Sequence, residues 1–235
     1  MTSEPRFEGD YSERQTTAAH RVLVDLGQVL ASFKECVVVV GGWVPDLLLH
    51  DSTEQHVKSI DVDLALDAAK LTDGRYAELL ALLLDTRRYE RSDKPFQLFA
   101  NVDLGDGQQS VRVDVDFLSP IEFKLRSRRS KKIEGFRVQQ ADGCGAAFRA
   151  PEAIIVEGRM VNGVLNSVEL RVAALPDFLV MKCYALRGRD KPKDADDYGP
   201  RQVVEFHQST DAAERGIQAQ RAFQLVQRFL GLVGV

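Results

Sequence analysis

The spacing of apolar residues in the first part of the chain predicts a helix, a buried strand and a tight turn. Apolar residues recur at helical spacing from Glu13 to Phe33, which predicts an amphipathic helix with one buried face. Cys36–Val40 contains four consecutive valines and predicts a strand that is buried on both faces. This strand ends at Gly41-Gly42, where we expect a turn that opens a short helix over Val44–His50.

The rest of the pattern predicts a mixed sheet followed by helices. The further predicted elements are a strand over Ile60–Leu66, a helix over Asp73–Asp85 with Asp73 as its N-cap, strands over Phe96–Val102 and Val111–Leu118, strands over Ala153–Glu157 and Val164–Val172, and helices over Pro176–Leu186 and Ala212–Leu232. Turn-forming residues at 103–107 and 162–163 separate the two later strand pairs, as they do in hairpins. The sequence therefore predicts an α+β fold with a small mixed β-sheet flanked by helices and a mostly helical C-terminal part.

Length and composition are those of a globular protein. The chain has 235 residues, 44% hydrophobic and 28% charged, which allows one large domain or a core with an appendage. Three cysteines, at positions 36, 144 and 183, are too few and too scattered for a disulfide framework or a zinc site. The longest apolar runs fall far short of the roughly 20 residues of a membrane span, so we expect a cytoplasmic protein without membrane association.

The net charge of -4 hides an uneven distribution of charge. Residues 122–137 carry seven basic and two acidic side chains, a local charge of +5, so the remainder of the chain carries -9. The basic stretch Lys124–Lys132 is of the kind that attracts phosphate backbones, and an RNA or tRNA acceptor could lie along it. A solvated surface loop with no ligand is the alternative interpretation of the same charges.

Two pairs of aspartates are candidates for metal binding. Asp61 and Asp63 lie two positions apart in a predicted strand, as do Asp114 and Asp116, so each pair projects from one face. Like charges held this close repel unless a cation or solvent relieves them. If the two strands are neighbours, three carboxylates converge on one point and suit Mg²⁺, with either Asp114 or Asp116 as the third ligand. The alternative is that the acids only solvate the exposed face of a strand.

Three sequence motifs resemble those of one enzyme superfamily. The run from Gly41 to Leu49 (GGWVPDLLL), the Asp-Val-Asp-Leu sequence from Asp61 and the segment Lys182–Asp194 are similar to motifs of the nucleotidyltransferase (polymerase-beta-like) superfamily. The last segment resembles AbiEii-type toxins in particular, and Gly-Gly-Trp is similar to the antibiotic nucleotidyltransferases. Trp43 in this motif either stacks on a base or packs into the core.

The resemblance implies a role for each matching residue. It implies that Gly41 and Gly42 hold the nucleotide phosphates and that Asp61 and Asp63 bind metal. Asp114, with Asp116 as the alternative, would bind the catalytic metal and help to deprotonate the acceptor. Lys182 would neutralise the triphosphate, and Asp194 or Asp197 would orient that lysine or the acceptor. It also implies two Mg²⁺ ions and an NTP substrate.

The implied domains are a catalytic core over residues 1–120, a basic loop and β-hairpin extension over 121–175, and a helical part over 176–235 that completes the nucleotide site. The implied function is transfer of an NMP from an NTP to a hydroxyl, with RNA or tRNA as the first candidate acceptor and an antitoxin or other protein as a candidate partner. A small-molecule acceptor of the aminoglycoside or lincosamide type is the alternative, and a non-catalytic nucleotide-binding module of the same fold is a third.

Overall fold

The computed structural model describes residues 13–49, 59–71, 74–121 and 136–188. Four sequence predictions lie outside these residues: the N-cap at Asp73, the basic stretch Lys124–Lys132, the segment that contains Asp194 and Asp197, and the helix over Ala212–Leu232. Contacts divide the chain into two compact units, Met1–Phe178 and Leu179–Val235. The described part of the second unit is the C-terminal portion of a helix that begins in the first.

The described helices are four α-helices and two short 3-10 helices. They are α1 (Glu13–Val29), α2 (Trp43–Leu48), α3 (Arg75–Asp85), α4 (Leu175–Gly188) and the 3-10 helices Ala31–Cys36 and Cys144–Phe148. The single helix predicted from Glu13 to Phe33 is wrong at its end, because Leu30 leaves the α region (φ -93°, ψ 14°) and the chain tightens into the first 3-10 helix. Apolar spacing does not reveal this break, since Phe33 of the 3-10 helix is also buried.

The described residues contain eight strands, which form one mixed sheet. They are β1 (Val37–Val40), β2 (Val62–Leu66), β3 (Tyr89–Arg91), β4 (Gln97–Val102), β5 (Val111–Pro120), β6 (Gln139–Ala141), β7 (Glu152–Arg159) and β8 (Leu165–Val172). Their order is β3-β4-β5-β2-β1-β8-β7, and β6 pairs with β5 beside this path. The predicted mixed sheet with flanking helices is confirmed. Strands β3 and β6, which the pattern did not predict, have three residues each, too few to show an alternation.

Pairing in the middle of the sheet determines where the polar residues lie. Strand β1 is buried along its whole length, as the four valines predict, and runs antiparallel to β2. Strand β2 runs parallel to β5, and β5 is antiparallel to β4 across the predicted hairpin. The hairpin of β7 and β8 joins the same sheet, because Val172 of β8 pairs with Val39 of β1.

Helix α1 packs against the sheet through small residues at two close approaches. A Cβ at Gly27 of α1 would lie 2.7 Å from a methyl group of Val168 in β8, and a Cβ at Gly158 of β7 would lie 2.6 Å from the ring of His20 in α1. Both positions therefore require glycine for the helix to approach the hairpin this closely. Among the residues that the structure describes, we find no helix with the length and apolar character that a membrane crossing requires.

Candidate metal-binding carboxylate site

The parallel pairing of β2 with β5 brings an aspartate of each strand side by side. Asp63 pairs in register with Asp116, and the apolar Val62 pairs with Val115 on the other face. Neighbouring strands lie about 4.8 Å apart and residues in register project to the same side. The two carboxylates therefore leave the sheet from adjacent positions. We call Asp61, Asp63, Asp114 and Asp116 the acidic quartet.

The alternation of β5 separates the acidic side chains from the core. Val113, Val115 and Phe117 are fully buried on one face, while Asp114 and Asp116 lie half-buried on the other. Asp61 lies one residue before β2 and two positions before Asp63. Extending the parallel register by two residues from the Asp63–Asp116 pair aligns Asp61 with Asp114. The pairing of β2 with β5 therefore places the two aspartate pairs on neighbouring strands, and the charges of Asp61 and Asp114 both raise the pKa of Asp116.

Gly41 makes room for the side chain of Asp63. It follows β1 with a left-handed backbone (φ +73°), a conformation that side-chain-bearing residues rarely adopt. A Cβ at this position would overlap the carboxylate oxygen Oδ2 of Asp63. The two residues are close because Asp63 of β2 pairs with Val40 of β1, the residue before the glycine. Both the left-handed backbone and the close approach of Asp63, a candidate metal ligand, therefore favour glycine at position 41.

The second glycine and the tryptophan of the same motif support Asp61. A Cβ at Gly42 would lie 2.9 Å from Cβ and Oγ of Ser59, and that hydroxyl hydrogen-bonds to Oδ1 of Asp61. Trp43 is fully buried, and its indole N–H donates to the backbone carbonyl of Asp61 at 2.8 Å. Of the two interpretations of Trp43, packing in the core is confirmed, and the indole also fixes the chain at the start of β2.

Asp114 is engaged by a cation of its own strand. Nε of Arg112 donates to Oδ1 of Asp114 at 2.9 Å, and the guanidinium lies 3.9 Å from the centre of the Phe99 ring. The Arg112 side chain is 50% exposed, so this ion pair faces water. An aspartate already paired with an arginine is a weaker candidate for the third metal ligand than one without a positive partner.

Asp116 is held by a neutral amide. Nε2 of Gln97, on β4, donates to Oδ1 of Asp116 at 2.7 Å, and the two residues pair across the strands. Burial raises the pKa of the Asp116 carboxyl above its usual range, and the charges of Asp61 and Asp114 raise it further. The hydrogen bond from Gln97 and the charge of Lys94 act in the opposite direction. The register and this environment favour Asp116 over Asp114 as the neighbour of Asp63.

The donor chemistry of the site fits magnesium. Its side chains offer carboxylate oxygens, which Mg²⁺ prefers, and Mg²⁺ commonly takes only one or two protein carboxylates while it keeps several waters. Asp63 and Asp116 meet that requirement as a pair. Within the residues that the structure describes, no three or more His, Cys, Asp or Glu side chains are grouped so that they could hold a metal ion.

Two predicted nucleotide-binding residues come later in the chain. Lys182 lies on α4, in the part of that helix that belongs to the unit Leu179–Val235, and its side chain is half-buried. Asp194 lies outside the described residues, as do the basic residues of the candidate RNA stretch. The roles assigned to them by resemblance stay predictions.

Four residues around the acidic quartet were not predicted as part of the site. Ser59 contacts Asp61, while Ser92, Lys94 and Gln97 lie in or next to the turn between β3 and β4, on the side of Asp116. In the sequence each is an ordinary polar residue near a strand end, and only the pairing of β4 with β5 brings Gln97 to Asp116. The one signal in the sequence is Gln97 itself, a polar residue in a predicted strand that is otherwise largely apolar. The structure shows that this position is buried.

We compared the chain with protein-family models, with curated protein sequences and with solved structures, and none of the three comparisons found a match.

Proposed function

We propose that this protein is a Mg²⁺-dependent nucleotidyltransferase that moves an NMP from an NTP to a hydroxyl acceptor and releases pyrophosphate. The observation that carries the proposal is the pairing of Asp63 with Asp116 on adjacent parallel strands, directly next to the Gly41-Gly42 turn. The order of parts also supports it. The pattern of the superfamily that the motifs resemble is a Gly-Gly turn, then an Asp-x-Asp pair, then a later aspartate. In this chain the turn follows β1, the Asp-x-Asp pair lies at the start of β2, which is antiparallel to β1, and the later aspartate, Asp116, lies on β5, which is parallel to β2.

Each residue of the site has a role in this proposal. Asp63 and Asp116 would hold Mg²⁺ as a pair, and Asp61, whose position is fixed by Ser59 and by the Trp43 indole, would add negative charge beside them. When bound, Mg²⁺ supplies positive charge that polarises the phosphate oxygens and stabilises the leaving pyrophosphate.

The transfer itself is a displacement at the α-phosphorus of the NTP. The acceptor oxygen forms a bond to that phosphorus, the bond from phosphorus to the bridging oxygen of the pyrophosphate breaks, and the hydroxyl proton leaves to a carboxylate. We assign the acceptance of this proton to Asp116, because burial raises the pKa of its carboxyl.

The sequence favours an anionic acceptor, because the basic stretch Lys124–Lys132 is of the kind that attracts phosphate backbones. Arg112, on the same face of β5 as Asp114 and Asp116, is already paired with Asp114, so the preference for RNA rests on the basic stretch and on the motif resemblance. We therefore propose RNA, such as tRNA, as the acceptor, as in the AbiEii-type toxins that the C-terminal motif resembles.

The experiment is to incubate the full chain with each of the four α-labelled NTPs, Mg²⁺ and bulk tRNA, and in parallel with aminoglycoside and lincosamide acceptors. We expect label on RNA that requires Mg²⁺ and disappears in Asp63→Asn and Asp116→Asn. The matched control is Glu157→Gln, an exposed carboxylate on β7 of the same sheet, which should keep full activity. Label on the small molecule alone would contradict the RNA acceptor.

Nucleotide binding in the same assay separates an enzyme from a binding module. Stabilisation of the fold by an NTP that does not depend on Mg²⁺, without label on any acceptor, would contradict the proposed transfer and support a non-catalytic module. Retention of labelling by Asp63→Asn would contradict the assignment of the metal ligands.

A further inference from the structure

Within the described part of the chain, Gln97 is a buried polar side chain that touches the acidic quartet from a neighbouring strand. Its side chain is 3% exposed, and its Nε2 lies 2.7 Å from Oδ1 of Asp116. A buried amide of this kind is stabilising only when both of its ends are hydrogen-bonded. The other end, Oε1, accepts a hydrogen bond from Oγ of Ser92 at 2.8 Å.

The hydrogen bonds around Ser92 determine which way the amide of Gln97 points. The backbone N–H of Lys94 donates to Oγ of Ser92 at 2.9 Å, and the Ser92 hydroxyl donates onward to Oε1 of Gln97. If the amide were reversed, Oε1 would face the Asp116 carboxylate and two acceptors would meet. The order of donors therefore runs in one direction, from the Lys94 backbone through Ser92 and Gln97 to Asp116.

The turn that carries these residues is itself closed by backbone hydrogen bonds. The N–H of Ser92 donates to the carbonyl of Gln97 at 3.1 Å, and the N–H of Gln97 donates to the carbonyl of Lys94 at 3.3 Å. The turn between β3 and β4 thus holds Ser92 and Gln97 in fixed relation to each other and to β5. By contrast, Asp114, two residues from Asp116, is held by the half-exposed Arg112.

We propose that Gln97, oriented by Ser92, is the positioning residue that makes Asp116 the partner of Asp63 in binding the divalent cation. The inference rests on the proposed function, because it assigns an outer support to the same metal site. Gln97 holds one carboxylate oxygen of Asp116 with a neutral donor, so the carboxylate keeps its negative charge and one orientation. Supports of this kind typically contribute about 10- to 100-fold to metal affinity.

The test measures cation binding rather than turnover. The full chain is titrated with Mn²⁺, an oxygen-preferring stand-in for Mg²⁺, and the free ion is followed by electron paramagnetic resonance. We expect Gln97→Leu, which has a similar volume and no donor, to bind Mn²⁺ about 10- to 100-fold more weakly than the wild type. Ser92→Ala should weaken binding less, since the amide remains but loses its orienting donor.

Two matched controls separate positioning from a general loss of structure. Ser92→Thr keeps the hydroxyl and should restore the wild-type affinity, and Gln28→Leu removes an exposed glutamine of α1 that bonds to Asn166, so it should leave affinity unchanged. Circular dichroism and thermal unfolding without metal show that each variant is folded. If Gln97→Leu does not fold, the comparison of Ser92→Ala with Ser92→Thr carries the test.

The outcomes distinguish this inference from the proposed function. Mn²⁺ binding that Asp63→Asn removes and that both Gln97→Leu and Ser92→Ala leave at wild-type affinity overturns the role of Gln97 alone. Wild-type protein that binds Mn²⁺ no better than Asp63→Asn overturns the metal site, and the role of Gln97 with it. Weakened binding in Gln97→Leu, with the two controls unchanged, supports the inference.

Discussion

The buried carboxylate of Asp25 and the half-buried carboxylates of the acidic quartet have different hydrogen-bond partners and neighbouring charges. Asp25 of α1 is fully buried, and one of its oxygens accepts hydrogen bonds from Nε of Arg88 at 3.1 Å and from the hydroxyl of Tyr89 at 2.8 Å. In the acidic quartet, Asp116 accepts its hydrogen bond from a neutral amide while two further carboxylates act on it. Arg88 is hydrogen-bonded to Asp25, whereas Lys94 acts on Asp116 only through its charge, alongside the negative charges of Asp61 and Asp114.

The difference separates a structural carboxylate from a candidate functional one. A buried charge is tolerated when an opposite charge and hydrogen bonds match it, and Arg88 and Tyr89 match Oδ2 of Asp25, while its buried Oδ1 has no hydrogen-bond partner among the described residues. Neighbouring carboxylates offer the oxygen ligands that a divalent cation prefers, which is the role proposed for the acidic quartet. Variants at the two sites should therefore respond differently to Mg²⁺, and the predictions below run from the largest expected effect to the smallest.

The largest effect should come from Asp63→Asn, which keeps the shape of the side chain and removes its charge. We expect transfer activity to fall about 1,000-fold, equivalent to about 4 kcal/mol of activation free energy. The measurement is label transfer at saturating Mg²⁺ together with urea unfolding. Activity within tenfold of wild type would contradict a functional role for Asp63.

Arg88→Met should act through stability alone. It leaves Asp25 buried without its cation, and breaking a buried ion pair costs about 3 kcal/mol; the lower end of the usual range applies because the Arg88 side chain is 29% exposed. Urea unfolding measures the loss. Activity per folded molecule and the dependence on Mg²⁺ should match the wild type, and an altered Mg²⁺ dependence would show that the two carboxylate groups are coupled.

Gly41→Ala should affect both properties at once. The left-handed backbone costs a side-chain-bearing residue about 1 to 2 kcal/mol, and the new methyl group overlaps the carboxylate of Asp63. We expect a loss of about 2 kcal/mol in unfolding free energy and weaker Mg²⁺ binding. Gly74→Ala is the control, because Gly74 is also left-handed (φ +92°) with open space around its Cβ position, so it should lower stability without changing Mg²⁺ binding.

Tyr89→Phe tests the hydroxyl that completes the Asp25 group. Burial, and then the charge of Asp25, raise the pKa of this hydroxyl well above its usual range, so it stays a neutral donor at physiological pH. Its removal should cost about 1 to 1.5 kcal/mol, the contribution of a hydrogen bond to a charged group, with no change in metal binding. A loss below the error of urea unfolding would mean that Arg88 alone satisfies Asp25.

The smallest effect should be a pH-dependent gain of stability in Asp116→Asn. The folded state raises the pKa of Asp116, so it binds this proton more tightly than the unfolded chain does, and wild-type stability falls as the pH rises through the raised pKa. Relative to the wild type, Asp116→Asn should therefore be more stable at pH 7 than at pH 3.5 when Mg²⁺ is absent. Added Mg²⁺ should reduce that gap, and an equal difference at both pH values would contradict the raised pKa.

The sequence predicted the parts of the candidate site more fully than their arrangement. The Gly-Gly turn, the Asp61 and Asp63 pair and the alternation of β5 were all visible, because period and turn chemistry are local properties. Whether Asp114 or Asp116 meets Asp63 was left open, since both lie on the same face of β5 and local pattern cannot distinguish them. Register between β2 and β5 is a non-local property, and it places Asp116 beside Asp63.

By itself, the sequence determined the buried strand β1, the two later hairpins, the presence of a mixed sheet with flanking helices and the face of β5 on which the acids lie. Only the tertiary structure decided that Gly41 and Gly42 accommodate Asp63 and Ser59, that Trp43 supports Asp61, and that Gln97 holds Asp116. These contacts join residues up to 22 positions apart in the chain, through strands whose pairing depends on the packing of the whole sheet. Local patterns encode which face a side chain takes, and strand register decides which side chains meet.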